Sequence, residues 1–436
     1  MNYGFSVLFL ALLMTTALLV PGTGFAEEPS EAEPPRTRVE RHADRQEEVG
    51  ILASENREFA FSLLVSIRRD ASNENIFFSP FSISRTLAMI YAGARGQTRA
   101  ELERALKYSL DDESLHRAFN ALSTRLSPQS MMFSNRDPQS AELHFYSRFW
   151  GQREYPFRTS FLNLLARSYD TSLQGVDFRN NSGAILQEIN DWVREKSNNR
   201  IPRMLENIDP GAAFVLVNGI YFSGYWELEF DEGSTSPSPF HRLDGSSADV
   251  PMMRNLDNFR IHQRENTTAV RMDYQGPGPI ALLAMKPSDE ESFAEWEEKL
   301  SRHLVDEIIE ELRITTRTEI HLEFPRFETR TNYNLAERIL PALGLSTLFR
   351  LSADLTGMYE PSDLDPLFVN QFIHRTFIKV DEKKTEATAF DAVAGLRGSA
   401  PRDYKRISFN RPFYFVIYDY RTDSILFLGR MLDPLR

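Results

Sequence analysis

The sequence predicts an α+β fold built as one large domain. Three observations carry that prediction. Apolar residues recur at helical spacing in "NREFAFSLLVSIRRD", "FSISRTLAMIYAGARG" and "GAILQEINDWVREKSN", all in the first half of the chain. Runs of β-branched and aromatic residues bounded by turn formers gather further on, in "AAFVLVNGIYFSGYWEL", "EIHLEFPRFETR", "HRTFIKVDE" and "FYFVIYDYRTDSILFLGRM". The two patterns do not alternate regularly, which argues against repeated βαβ winding.

From the N-terminus, "MNYGFSVLFLALLMTTALLVPGTGFAEE" has an apolar stretch too short for a bilayer-spanning helix, ended by Pro21 and followed by Gly24-Phe25-Ala26. Residues 1–26 read as a secretory signal cleaved after Ala26. The chain is then expected to be secreted and extracellular, or periplasmic in a Gram-negative bacterium. Residues 27–49 are charged and Pro-containing, the composition of a disordered leader. Residues 50–436 form the expected single domain, with patches such as "STSPSPF" and "YQGPGPI" read as turns within it. No later stretch is apolar enough to cross a membrane, so no transmembrane segment is expected.

Of the 436 residues, 42% are hydrophobic and 26% charged, an ordinary globular composition able to bury a large core. Asp plus Glu number 62 against 50 Lys plus Arg, a net charge of −12 that repels phosphate backbones. No nucleic-acid partner is expected. There is no cysteine, which excludes disulfides, thiolate metal sites and cysteine nucleophiles. The sequons at Asn180 and Asn266 would carry glycans only in a eukaryotic secretory pathway.

The sequence offers no catalytic constellation. His42, His116, His144, His241, His262, His303, His321 and His374 are too dispersed for a His-x-x-x-His metal pair. Neither a Gly-x-Ser-x-Gly elbow nor a phosphate-cradling glycine loop occurs, and Gly276-Pro277-Gly278-Pro279 lacks the amides such a loop needs. The chain reads as no enzyme, with no cofactor and no metal. His374, at the start of an apolar run, has two readings: a satisfied core residue, or a hydrogen-bonding group across a movable seam. One segment remains. Between two strand-like runs, Lys384 to Arg406 is built of small residues, Thr, Gly, Pro and charge, and exposed loops of that length are mostly functional or disordered.

An ordered set of motifs then resembles the serpin superfamily. "NENIFFSPFSISRTLAMIYAGARGQT" is similar to the family's Ser-Pro-x-Ser-Ile segment and second helix, and "FVLVNGIYFSGYWELEFD" to the strand carrying Asn218 and Trp226. "INDWVREKSNNRI", "FPRF", "LGLSTLF", "ADLTGM", "HRTFIKVDE" and "FNRPFYFVIYDYRTDSILFLGRMLDP" follow in the family's order. The resemblance implies a serpin fold of about nine helices and three β-sheets, with an exposed reactive-site loop at about residues 382–406. It implies a monomer acting as a suicide inhibitor of a serine protease. The protease cuts the loop, is acylated, and is trapped as the loop inserts into the central sheet.

Residue by residue, the resemblance places the loop hinge at Glu382, Lys383, Lys384, Thr385, Glu386, Ala387, Thr388 and Ala389. Thr385, Ala387, Ala389, Asp391, Val393 and Gly395 would face inward after insertion, and Glu386, Thr388 and Phe390 outward. Two departures stand against smooth entry. Lys384 replaces a hinge glycine, and Asp391 would bury a carboxylate at a cost on the order of several kcal/mol if unpaired. The usual spacing puts the scissile bond at Gly398-Ser399. A loop one residue shorter puts it at Arg397-Gly398, and the cationic side chain of Arg397 suits a trypsin-like acidic pocket. Ser79, Ser82, Asn218 and His374 would form a hydrogen-bonded cluster where the central strands part, with Trp226 beneath the point of entry. The stretch taken to match the basic polyanion-binding helix of some members, "SPQSMMFSNRDPQSAEL", has one Arg and no Lys, so no heparin-like cofactor is expected. The alternatives are a non-inhibitory serpin, cleaved as a plain substrate or serving in binding, and an inhibitor of elastase-like, subtilisin-like or cysteine proteases.

Overall fold

Residues 38–126, 141–264, 266–276, 278–288, 292–360, 366–385 and 404–436 are described in the computed structural model of the chain. The expected signal peptide and the loop residues Glu386, Ala387, Thr388, Ala389, Asp391, Arg397, Gly398 and Ser399 lie outside them. The chain divides between Arg41 and His42, and the unit described below is His42–Arg436.

Helix α1 (Arg38–Asp70) begins within the stretch that composition assigns to a leader. Its last residues there are packed rather than free. Val49 is 1% exposed, and the buried Glu48 carboxylate accepts from Arg117 Nε at 3.0 Å. A charged stretch orders where one carboxylate finds a cation and one Val finds the core. After β1 (Ile76–Phe78), Ser79 caps α2 (Pro80–Gly93), its Oγ accepting from Ser82 N at 3.1 Å, with Pro80 in the first turn. Helix α2 is buried almost all round, so it runs through the middle of the molecule. Then come α3 (Gly96–Leu106), α4 (Asp112–Leu126), β2 (Glu142–Gln152), α5 (Thr159–Tyr169), β3 (Leu173–Val176), α6 (Phe178–Lys196) and β4 (Phe214–Tyr225).

The second half is strand-rich. It holds β5 (Ser236–His241), β6 (Ser247–Arg264), β7 (Thr267–Asp273), β8 (Ile280–Pro287), α7 (Phe293–Lys299), α8 (Arg302–Ile314), β9 (Thr318–Pro325), β10 (Phe327–Asn334) and the single turn α9 (Ile339–Ala342). It closes with β11 (Ile373–Val380), β12 (Lys384–Thr385), β13 (Arg406–Ser408), β14 (Phe413–Asp419) and β15 (Ser424–Met431). Among the described residues there are nine helices and three sheets, as the α+β reading expects. None of these helices is long and apolar enough to cross a membrane.

The first sheet is formed by two separate ladders, β3-β2-β4-β12 and β10-β11, which flank a common seam. The second runs β1-β15-β14-β8-β7 into the end of β6, and the third joins β5, the start of β6, β9 and β13. Strand β6 serves both, pairing with β9 through Met252–Phe259 and with β7 through Arg260–Arg264. Strands β8, β14 and β15 are buried at every position, which is why they read as continuous apolar runs.

Arg430 is the least expected member of this core. It is 1% exposed, pairs with Glu297 at 3.0 Å, and donates to the carbonyls of Ser72 and Glu74 at 3.0 Å each. Arg430→Met should therefore destabilise the intact protein by about 3–5 kcal/mol, since it removes the cation from the half-buried Glu297 carboxylate, which keeps only the Tyr414 hydroxyl, and leaves several carbonyls without their donor. Urea unfolding monitored by tryptophan fluorescence measures this; a midpoint within error of the parent would refute it.

Candidate functional site

Strand β4 pairs with β2 along its length, and β11 pairs with β10 from Ile373 to Val380. Among the described residues no ladder joins β4 to β11. The first sheet is thus parted down a seam. Two cavities lie along it, one of about 90 Å³ lined by Ser82, Val217, Asn218 and His374, the other of about 30 Å³ lined by Tyr221, Phe222, Thr376 and Ile378. Side chains of β11 alternate strictly, with His374, Thr376, Ile378 and Val380 turned inward and buried. Along β4 most positions are half-buried, in contrast to the closed second sheet.

Helix α2 straps the seam from below. Ser79 N–H donates to His374 Nε2 at 3.0 Å, and Ser79 Oγ donates to the Leu426 carbonyl at 2.7 Å. Across the seam, Asn218 Nδ2 donates to the Ser82 carbonyl at 2.9 Å and to Ser82 Oγ at 3.1 Å. Ser79, Ser82, Asn218 and His374 therefore form one chain of bonds, routed through α2 rather than directly from strand to strand. Burial pushes the His374 imidazole down to about 3, so it is neutral at physiological pH and accepts through Nε2. Thr376 Oγ1 fastens the same strand to the Phe77 carbonyl at 2.7 Å.

One participant was not singled out in the sequence. Arg85, on α2 and 3% exposed, donates through Nη1 to Asn218 Oδ1 at 2.5 Å and Ser147 Oγ at 3.1 Å, and through Nη2 to the Tyr169 carbonyl at 2.6 Å. Its guanidinium lies 5.8 Å from the Phe145 ring centre and 5.5 Å from that of Tyr169. No carboxylate among the described residues lies within ion-pairing distance of it. Burial accordingly pulls its pKa down to about 10, against the weaker pull of Tyr169 and Asp170. The signal was there: an arginine in the otherwise apolar helix "FSISRTLAMIYAG".

At the top of the seam the residues expected as a hinge lie against the end of β4. Lys384 and Thr385 form β12, paired with Tyr225 and Gly224. Trp226 N–H donates to the Lys383 carbonyl at 2.9 Å, Phe230 N–H to the Glu382 carbonyl at 2.8 Å, and Trp226 Nε1 to the Asp381 carbonyl at 2.9 Å. Glu382 pairs with Arg326 at 3.4 Å and Lys383 with Glu232 at 3.2 Å. Trp226 is 1% exposed and stacks on Tyr274, the ring centres 4.6 Å apart. Gly224 makes that approach possible, because a Cβ there would come within 2.7 Å of the Tyr274 ring.

Two expectations meet the structure elsewhere. Asn180 is exposed in the first turn of α6, its amide donating to Asp177 at 2.8 Å, and Asn266 is exposed in the β6–β7 turn with φ +63°. The last described helix before β2 is α4, Asp112–Leu126, and residues 127–140 of the stretch compared with a polyanion-binding helix lie outside the described residues. On α4 itself, Arg117 is occupied by Glu48 and Glu113.

Comparison with known proteins bears on most of the chain. The family model described as serpin (serine protease inhibitor) matches residues 54–434. An uncharacterised serpin-like protein of Thermococcus kodakarensis is 32% identical over 380 residues, covering 86% of this chain and 84% of the relative. Leukocyte elastase inhibitor A of Rattus norvegicus is 32% identical over 395 residues, covering 88% and 99%. Among solved structures, human kallistatin superposes with a TM-score of 0.77 at 28% identity, covering 89% of this chain and 99% of that one. Human thyroxine-binding globulin in complex with thyroxine gives a TM-score of 0.76 at 26% identity, covering 89% and 100%. With its motifs in order, its three sheets in place and its family model matched from end to end of the domain, the chain belongs to the serpin family.

Proposed function

We propose that this serpin is a secreted, monomeric suicide inhibitor of a trypsin-like serine protease. The observation that carries the reading is the top of the seam, where Lys384 and Thr385 already pair with β4 beside a groove lined by β4 and β11. A strand begun there needs only slack to continue, and a cut downstream supplies it. The protease serine attacks the Arg397 carbonyl, the Gly398 amine departs with the proton, and an ester joins Arg397 to the enzyme. Insertion of the freed strand then carries that ester away from the hinge before water hydrolyses it. The rat relative named as an elastase inhibitor supports inhibition as such. Arg397 supports the trypsin-like choice, residues 1–26 support secretion, and the single Arg in the stretch from Ser127 to Leu143 speaks against a heparin-like cofactor.

Incubation with trypsin, read on a denaturing gel and by N-terminal sequencing, tests this. A covalent complex with a released peptide starting at Gly398 is expected. A released peptide starting at Ser399 or elsewhere overturns the assignment of Arg397, and cleavage without any complex overturns inhibition. A second reading, a serpin cleaved without trapping, is favoured by one feature, an Asp at position 391, which the family frame would turn inward on insertion.

A further inference from the structure

The Asp391 carboxylate is the residue of the loop least suited to burial, and Arg85 is the cation of the seam least supplied with a partner. Register connects them. Lys384 lies opposite Tyr225 and Thr385 opposite Gly224. Continued one residue for one residue along β4, that antiparallel pairing brings Ala387 opposite Phe222, Ala389 opposite Ile220 and Asp391 opposite Asn218. Directly opposed residues of an antiparallel pair point to the same face, with Cβ atoms about 5 Å apart. Asn218 points down onto α2, where its Oδ1 accepts from the Arg85 guanidinium.

We propose that Arg85 is a built-in counter-charge for this chain's own loop, receiving the Asp391 carboxylate when residues 386–395 pair with β4. The groove's occupant is thus that named segment, and the argument for it is register and charge together. Arg85 is buried, held in place by Ser147, Asn218 and the Tyr169 carbonyl, and among the described residues no carboxylate lies within ion-pairing distance of it, Asp170 acting only from farther off. Each is costly alone, a buried guanidinium before insertion and a buried carboxylate after it. Brought together they form a charge-assisted pair with both members ionised, stronger than the bonds Arg85 now donates to neutral acceptors. An arginine at position 85 therefore makes Asp391 an asset to insertion rather than an obstacle. Arg85 acts by positioning and charge, not by chemistry.

The inference rests on the reading that the loop enters the seam, and its test is arranged to fail separately. A synthetic peptide of the loop, Thr385 to Leu396, is added in trans to the intact full-length protein, alongside the same peptide with Asp391→Asn. Binding is followed by tryptophan fluorescence. The Asp peptide should bind the parent at least roughly tenfold tighter than the Asn peptide, and this preference should vanish or invert in Arg85→Met. Equal binding of the two peptides to the parent overturns the inference, as does no binding of either. If Arg85→Met does not fold, the comparison in the parent stands alone, joined by a peptide carrying Asp391→Lys, which should bind weakest. Peptide discrimination without any protease complex would sink the inhibitor reading and leave the Arg85–Asp391 pair intact.

Discussion

Trypsin-nicked protein should melt on the order of 20 °C above the intact form. An inserted strand would pair with β4 on one side and β11 on the other, along edges that join no ladder across the seam. Strand spacing is about 4.8 Å, so a single strand fits between two parted neighbours. About ten residues bonded on two sides, each bond contributing roughly 0.5–1.5 kcal/mol net, amount to on the order of 10 kcal/mol. In a domain of this size each kcal/mol moves the midpoint by about 2 °C. Circular dichroism melts of intact and nicked samples provide the check. Equal midpoints would mean that the severed segment does not complete the sheet, and the trapping mechanism would go with it.

His374→Ala should open the seam from the other side. It removes the acceptor for Ser79 N–H, a buried donor whose loss of partner costs about 1–3 kcal/mol, and leaves a void beside the smaller side chains of Thr376 and Ser79. The expected result is a lower melting point with soluble polymers or a slowly forming inactive monomer, seen by size-exclusion chromatography after mild heating. An unchanged elution profile after the same treatment would refute it. Acid should mimic the mutation. The folded state holds His374 neutral down to about 3, against about 6.5 for an unfolded chain. Its contribution is therefore complete above about 6.5 and is lost progressively as pH falls through that window. His116, pushed down by burial to about 4, titrates in part of the same range, so the acid sensitivity assigned to His374 is the part that His374→Gln abolishes and His116→Gln leaves.

How much of this was legible depended on what each residue faces. The β14–β15 hairpin was plain because both strands are buried at every position, leaving an unbroken apolar run on each side of a turn at Asp423, φ +57°. Strand β11 was legible from strict alternation. Strand β6 was not, because it leaves one sheet for another near Phe259 and carries charges where its faces are half-exposed. Helix α1 starts earlier than composition indicates, because the pairing of Glu48 with Arg117 is a tertiary fact. At the seam, Ser79, Ser82, Asn218 and His374 were reached by motif, whereas their routing through α2 was not. Arg85 escaped notice since helical periodicity says where a residue points, not that five polar or aromatic groups converge there.

The far end of the loop is held by one short strand, with Ile407 buried and Arg406 paired with Glu323 at 2.6 Å. Strand β13 clasps β9 through Arg406, Ile407 and Ser408, paired in parallel with His321, Leu322 and Glu323 at the border of the third sheet. An uncut loop cannot slide fully into the seam unless that clasp is torn off, while a severed one leaves it undisturbed. Three residue pairs thus work as a fuse that tells a bitten molecule from an unbitten one. Were the fuse to blow unprompted, the bared rim of β9 would offer amides and carbonyls to any passing strand, and the protein would become a seed for its own fibres.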